Sequence, residues 1–344
     1  MNNMKKIGYS ALAGSLVAFS ANAVELSVSG KTEVTYSGKD NSTTTNGNKW
    51  GGGNEITFSG SGDVNGMTAT YTAVIADGGQ ANSNSSETFA SSSLMLDMGD
   101  MGTIGFDQGV GEFGVSTIDD KMPYAYEEIW TYTGASNGLQ AAGGCNVLGY
   151  KNSYAGVNLS LEIDPGHSSS TTDSSGCTGD GGNTGGANER SGYNWALTAA
   201  PIDGLNVGAG YGKENFTNSV NNGDADVTYM TGFATYAFGP VTVGYQRSEA
   251  QGGSAGTGSN EVAIYGASFN VNENFAISFN QMDNEYDKTG AAAVNVTEET
   301  TGFGASYTMG SASLRLLKSE TDNLGGDTGA KSVDHTEISL MLAF

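Results

Sequence analysis

Side chains alternate in polarity along this chain with a period of two, and no other feature restricts the fold as much. At the start of the first such stretch the even positions are Leu26, Val28, Gly30, Thr32, Val34 and Tyr36, while the charges Glu25, Lys31 and Glu33 fall on odd ones. Successive side chains of an extended strand point to opposite faces, so this pattern gives one dry face and one wet face. The end of the chain repeats it: Thr336, Ile338, Leu340, Leu342 and Phe344 alternate with His335, Glu337, Ser339, Met341 and Ala343. The same period recurs between them, for example at Leu94/Leu96, Leu159/Leu161/Ile163, Val241/Val243/Tyr245 and Phe275/Ile277/Phe279.

The connections alternate as well. Tight turns are predicted at 62–66, 99–102, 152–156, 200–204, 238–240, 270–274 and 308–310. Long polar loops are predicted at 39–52, 77–87, 108–143, 164–191, 212–225, 250–259, 284–296 and 320–333. The segments between them amount to about sixteen strands of about nine to eleven residues, the length that a tilted strand needs to cross a bilayer. Short turns on one rim and long loops on the other describe an all-β chain closed into a transmembrane antiparallel barrel, with short periplasmic turns and long extracellular loops. A two-sheet sandwich would alternate too, but it needs large residues on its inner faces and has no reason to alternate loop length. A β-solenoid needs a fixed repeat, and none is present.

Composition agrees with the barrel. The 344 residues include 53 Gly and only 4 Pro, without the Gly-X-Y period of a collagen. No apolar run reaches the length of about 18 residues that a membrane helix requires. In hydrocarbon every backbone N–H and C=O must be paired, so strands that span a bilayer have to close on themselves. Acids outnumber bases 37 to 14, for a net charge of −23, which speaks against binding nucleic acid. The 16 Tyr and 13 Phe speak against disorder. Several aromatics fall near strand ends on the dry face, as interfacial girdles require.

Residues 1–23 read as a secretory signal peptide: Lys5 and Lys6, an apolar core from Ile7 to Ser20, and the small-x-small site Ala21-Asn22-Ala23. Residues 24–344 then form one barrel domain, and losing Lys5 and Lys6 takes its net charge from −23 to −25. The compartment permits disulfides. Cys145 and Cys177 are either bonded to each other or two unrelated thiols. His167, beside Ser168 and Ser169 and near Asp164 and Asp173, is a weak hydrolase-like cluster, because adjacency in sequence is not triad geometry.

The chain resembles the general porins of the alphaproteobacterial, trimeric, sixteen-stranded type. The residues that carry the resemblance are the last strand, 337–344, ending in Phe344; the segment Met101-Gly102-Thr103-Ile104-Gly105-Phe106; and the hairpin from Leu148 to Val157, which contains Lys151. The resemblance implies passive diffusion of ions and small hydrophilic solutes, a third loop folded into the pore, assembly as a homotrimer, and Phe344 as the signal to the barrel-assembly machinery. It also implies calcium near that loop, with no cofactor required for transport. The family usually lines the constriction wall with several Arg; here there are only Arg190, Arg247 and Arg315.

With the third loop in the lumen, Glu112, Asp119, Asp120, Lys121, Glu127 and Glu128 become the candidate constriction residues. Facing them, by parity, are Lys31, Glu33, Glu55, Arg315, His335 and Glu337 on the strands that close the barrel. They are expected to share one patch. An outward Lys or Arg at mid-membrane would cost about 2–4 kcal/mol, which favours inward placement. Rings of acids select cations, so weak cation selectivity is expected. The Asp-rich segment 173–183 offers oxygen ligands for Ca²⁺ but no EF-hand or nonapeptide spacing. Loop acids bridged through divalent cations to lipopolysaccharide phosphates are an equal reading. A substrate-specific channel and a non-conducting structural or adhesive barrel are the rival functions.

Overall fold

A strand with one wet and one dry face is stable in a membrane only when its backbone is paired on both sides, and this chain achieves that by closing. A computed structural model describes residues 25–40, 49–76, 91–119, 121–131, 133, 146–168, 188–218, 223–252, 259–287 and 295–344. Within them are sixteen strands: β1 (Glu25–Asp40), β2 (Trp50–Val64), β3 (Met67–Ala76), β4 (Ser91–Asp97), β5 (Thr103–Gln108), β6 (Val147–Tyr154), β7 (Val157–Ser168), β8 (Asn188–Ile202), β9 (Leu205–Asn218), β10 (Gly223–Phe238), β11 (Val241–Gln251), β12 (Asn260–Asn272), β13 (Phe275–Tyr286), β14 (Val296–Met309), β15 (Ala312–Asp322) and β16 (Val333–Ala343). Each strand pairs with its sequence neighbours, and β16 returns to β1 to close the barrel. The closing ladder runs antiparallel from Lys31↔Ala343 to Asp40↔Asp334. Phe344 extends it: Gly30 N–H donates to the Phe344 carbonyl (2.8 Å), and Phe344 N–H donates to the Gly30 carbonyl (2.9 Å).

The tight turns fall where the sequence puts them. In the β2–β3 hairpin Asn65 and Gly66 have φ of 55° and 83°, the doubly positive pair of a type I′ turn, whose twist matches that of the strands. Aromatic pairs mark both ends of the dry face. Tyr36 and Trp50 meet edge to face at 5.1 Å near the long-loop rim, and Tyr236 stacks on Phe238 at the short-turn rim.

Strand lengths differ from expectation. β1 and β10 have 16 residues and β5 has 6, rather than about nine to eleven. The predicted loop at 212–225 is mostly strand, with Lys213↔Thr228 and Asn218↔Gly223 in register. Beyond the bilayer both faces are wet, so the alternation that reveals a strand disappears while backbone pairing continues. The predicted loop at 164–191 shortens for the same reason. β7 carries His167 and Ser168 into pairing with Arg190 and Glu189, past a register shift at Asp164/His167 that brackets Pro165. Proline cannot donate to a ladder, so it belongs at such an irregularity. Cys145, Cys177, Asp120, the segment 173–183 and residues 1–23, where a signal peptide is expected, lie outside the described residues.

Candidate pore constriction

The third loop leaves β5 and turns inward on one carboxylate. Asp107 accepts hydrogen bonds from the backbone N–H of Val110 (2.7 Å) and of Glu112 (2.6 Å). The loop then crosses the inner wall, held at intervals by wall side chains that bond to its backbone. Gly114 N–H donates to Ser160 Oγ on β7 (2.8 Å), and Val115 N–H to Asn194 Oδ1 on β8 (2.8 Å). Gln246 Nε2 on β11 reaches the Ile118 carbonyl (3.4 Å), and Asn280 Nδ2 on β13 the Pro123 carbonyl (3.2 Å). Ala125 N–H donates to Ser278 Oγ, also on β13 (2.9 Å).

Between these bonds the loop is apolar. Phe113, Val115, Ile118, Met122, Ile129 and Trp130 are buried against the wall, and each fully buried side chain of this kind stabilises by about 1.5–3 kcal/mol. The wall makes room with glycine. Gly105 and Gly149 are directly opposed across β5 and β6, and a Cβ on either would fall within 2.8 Å of the Phe113 ring. Gly244 and Gly266, opposed across β11 and β12, both lie under Pro123, and Gly302 lies under Ile129. These wall glycines are thus seats for the loop.

The loop reaches the closing strands at Tyr126. Its Oη lies 2.6 Å from Glu337 Oε1 on β16 and 3.0 Å from Glu33 Oε1 on β1. Its single proton serves one carboxylate at a time, and burial followed by the Glu337 carboxylate pushes the phenol pKa up, so it stays a neutral donor. Arg315 on β15 donates to Glu33 (2.7 Å) and to Ser339 Oγ (3.2 Å), and its guanidinium lies 4.5 Å from the centre of the Tyr126 ring. Ser339 Oγ also donates to Glu33. Glu127 follows on the loop. Burial, then the charges of Glu128 and Glu33, push its pKa up to about 7, with Arg315 opposing. One guanidinium, shared and covered, therefore stands among Glu33, Glu337, Glu127 and Glu128.

These observations can be set beside known proteins. The profile of a family described as Gram-negative porin matches residues 9–341. The chain belongs to that family. Among solved structures, this porin resembles Salmonella typhi OmpF, at TM-score 0.69 and 14% identity over 93% of this chain and 97% of that one. It also resembles an anion-selective porin from Comamonas acidovorans, at 0.62 and 15% over 94% and 100%. A mutant of Rh. blastica porin aligns at 0.59 and 16% over 93% and 100%. No curated protein matches at the level of sequence. The protein is an outer-membrane β-barrel.

The structure divides the predicted wall of this porin into three. Glu33, Arg315 and Glu337 do meet the loop. Lys31 and Glu55 are directly opposed across β1 and β2 and form their own ion pair (3.1 Å), because the β1–β2 register matches them to each other. His335 is buried in the wall one step further toward the long loops, with Lys39 opposite it. The loop residues divide too. Glu127 and Glu128 belong to the cluster, whereas Glu112 pairs with Lys151 at the loop root (2.8 Å). Asp119 is half-buried at the end of the turn Gly114–Ile118. Of the three arginines, Arg247 is paired with Glu261 and exposed, away from the loop. Tyr126, Ser339 and Lys151 were absent from the sequence-derived site. The signal that could have found Tyr126 is the density of large apolar residues in 113–130, which a solvated loop has no reason to carry.

Proposed function

We propose that this outer-membrane porin is a passive diffusion channel for ions and small hydrophilic solutes, with a preference for cations. The observation that carries the proposal is the charge balance where the third loop meets β15, β16 and β1: four carboxylates around one arginine that is already paired with Glu33. Similarity to an anion-selective porin does not argue against it, since at such identity only the fold is shared and selectivity depends on lining charges. Transport of this kind needs neither catalysis nor a cofactor. Assembly as a homotrimer fits the trimeric form of Vibrio cholerae OmpT, with TM-score 0.66. In this reading Phe344 serves as the assembly signal, and its backbone pairing with Gly30 at the barrel seam supports that role. Calcium, or divalent bridges from loop acids to lipopolysaccharide, would need oxygen ligands; among the described residues no group of three or more acids, His or Cys is close enough to hold a metal ion.

Reversal potentials across a planar bilayer in a salt gradient test the preference, with potassium expected to permeate ahead of chloride. An anion-selective sign would overturn it. Because the raised pKa of Glu127 lies near 7, the carboxyl is mostly protonated at pH 6 and mostly ionised at pH 8. The cation preference should therefore grow as pH rises between those values, and Glu127→Gln should flatten that rise.

A further inference from the structure

We propose that the short-turn side of the third loop holds a binding site for a small hydroxylated carboxylate, of the kind a sugar acid presents. A cavity of about 540 Å³ lies there, bounded by the loop root, the β4–β5 and β6–β7 turns and the inner wall of β5–β8. Its size is that of a small-ligand pocket. Lys151 and Lys121 both line it, against one acid, Glu112. In a lumen otherwise dominated by carboxylates, this is a local excess of positive charge.

Lys151 is held in place. Its ammonium bonds to Glu112 at 2.8 Å and sits 5.4 Å from the centre of the Phe113 ring, the aromatic that anchors the loop. Lys121 has no carboxylate within ion-pair distance among the described residues. Among the described residues its ammonium has no acceptor, and a charge-assisted hydrogen bond to a carboxylate is about twice as strong as a neutral one. Beside Lys151, toward the short turns, the same wall is neutral and hydroxyl-rich. Asn158 Nδ2 donates to Thr198 Oγ1 (3.1 Å), and Ser153 Oγ donates to Asn158 Oδ1, in a row across β6, β7 and β8. Two ammoniums with a row of amide and hydroxyl groups beside them are complementary to one carboxylate followed by several hydroxyls. Glucose would use only the second half of this arrangement, and glucosamine would meet the ammoniums with like charge.

The solute reaches the cavity through the lumen, which rests on the channel reading; binding itself does not. Equilibrium dialysis of D-glucuronate against the folded, detergent-solubilised protein should show saturable binding, with D-glucose and D-glucosamine at least tenfold weaker. Lys121→Gln, which removes no loop anchor, should weaken glucuronate binding about tenfold. Lys151→Gln should weaken it further while also loosening the loop root, and circular dichroism checks that both barrels are intact. Equal binding of glucose and glucuronate, or unchanged binding by Lys121→Gln, would overturn the proposal. In bilayers, a conducting channel combined with no glucuronate retained in dialysis removes the pocket and leaves the channel. Absence of conductance combined with retained glucuronate removes the channel and leaves the pocket.

Discussion

Replacing Gly149 with valine is expected to unseat the third loop and raise single-channel conductance severalfold. The β6 backbone at this position is fixed by its pairing with Gly105 on β5 and Glu162 on β7, so it cannot retreat. A Cβ there would lie 2.0–2.4 Å from three carbons of the Phe113 ring, and valine adds two methyl groups beyond it. Overpacking of a well-filled site costs about 1–3 kcal/mol when the surroundings can shift. Here the element able to shift is the loop. Phe113 immediately precedes the backbone bonds of Gly114 to Ser160 and of Val115 to Asn194, so expelling the ring also breaks the first two ties to the wall. The barrel ladder needs none of these contacts and should form normally.

The measurement is a pair. Single-channel conductance should rise, and liposome swelling should admit larger sugars than the parent does. Phe113→Ala added to Gly149→Val removes the clash and should bring conductance part of the way back toward the parent value, since the backbone ties can then re-form. Unchanged conductance in a well-folded Gly149→Val barrel would mean that the loop is held elsewhere and that the glycine pair is incidental.

The contrast between Phe113 and the strands shows what sequence could convey. Alternation is a local property, so the strand number, the dry face and the hairpin turns were legible in segments such as 25–36 and 333–344. The inward parity of Glu33, Arg315 and Glu337 was legible for the same reason. Which of the parity-matched residues meet depends on register, which is not local: Lys31 faces Glu55 because of how β1 slides against β2, and nothing in either segment states the offset. The glycine seats were hidden more deeply. Gly105 and Gly149 look like permissive strand positions until β5 and β6 are paired and Phe113 is laid across them. The outer ends of β9 and β10 were read as loop because hydrophobic period reports on the bilayer, not on the hydrogen-bond ladder.

Arg315→Gln is the second substitution with a large expected effect, a severalfold increase in the potassium-to-chloride permeability ratio. The guanidinium is the one base among the described residues in contact with Tyr126 and Glu33, and both partners of the Arg315–Glu33 pair are mostly shielded, with side chains 17% and 21% exposed. Two unit charges about 4 Å apart interact by roughly 4 kcal/mol at the effective dielectric constant of about 20 that suits protein surfaces, so the neutralisation is strong while it lasts. Glutamine keeps a donor for Ser339 or Glu33 but removes the charge, leaving four carboxylates with no counter-charge beside them. Their mutual repulsion then favours protonation, Glu127 above all, since Arg315 opposes the rise in its pKa. The gain in cation preference should therefore be at least as large at pH 6, where Glu127 is protonated in both channels, as at pH 8, and the rise with pH should move to higher pH than in the parent. Glu337→Gln should act in the opposite direction at every pH. Tyr126→Phe, which removes a hydrogen bond and no charge, should leave the sign of selectivity unchanged. An Arg315→Gln channel whose reversal potential shifts toward anions, or does not shift at pH 6, would show that the ions pass elsewhere and that this cluster ties the loop to the wall without setting selectivity.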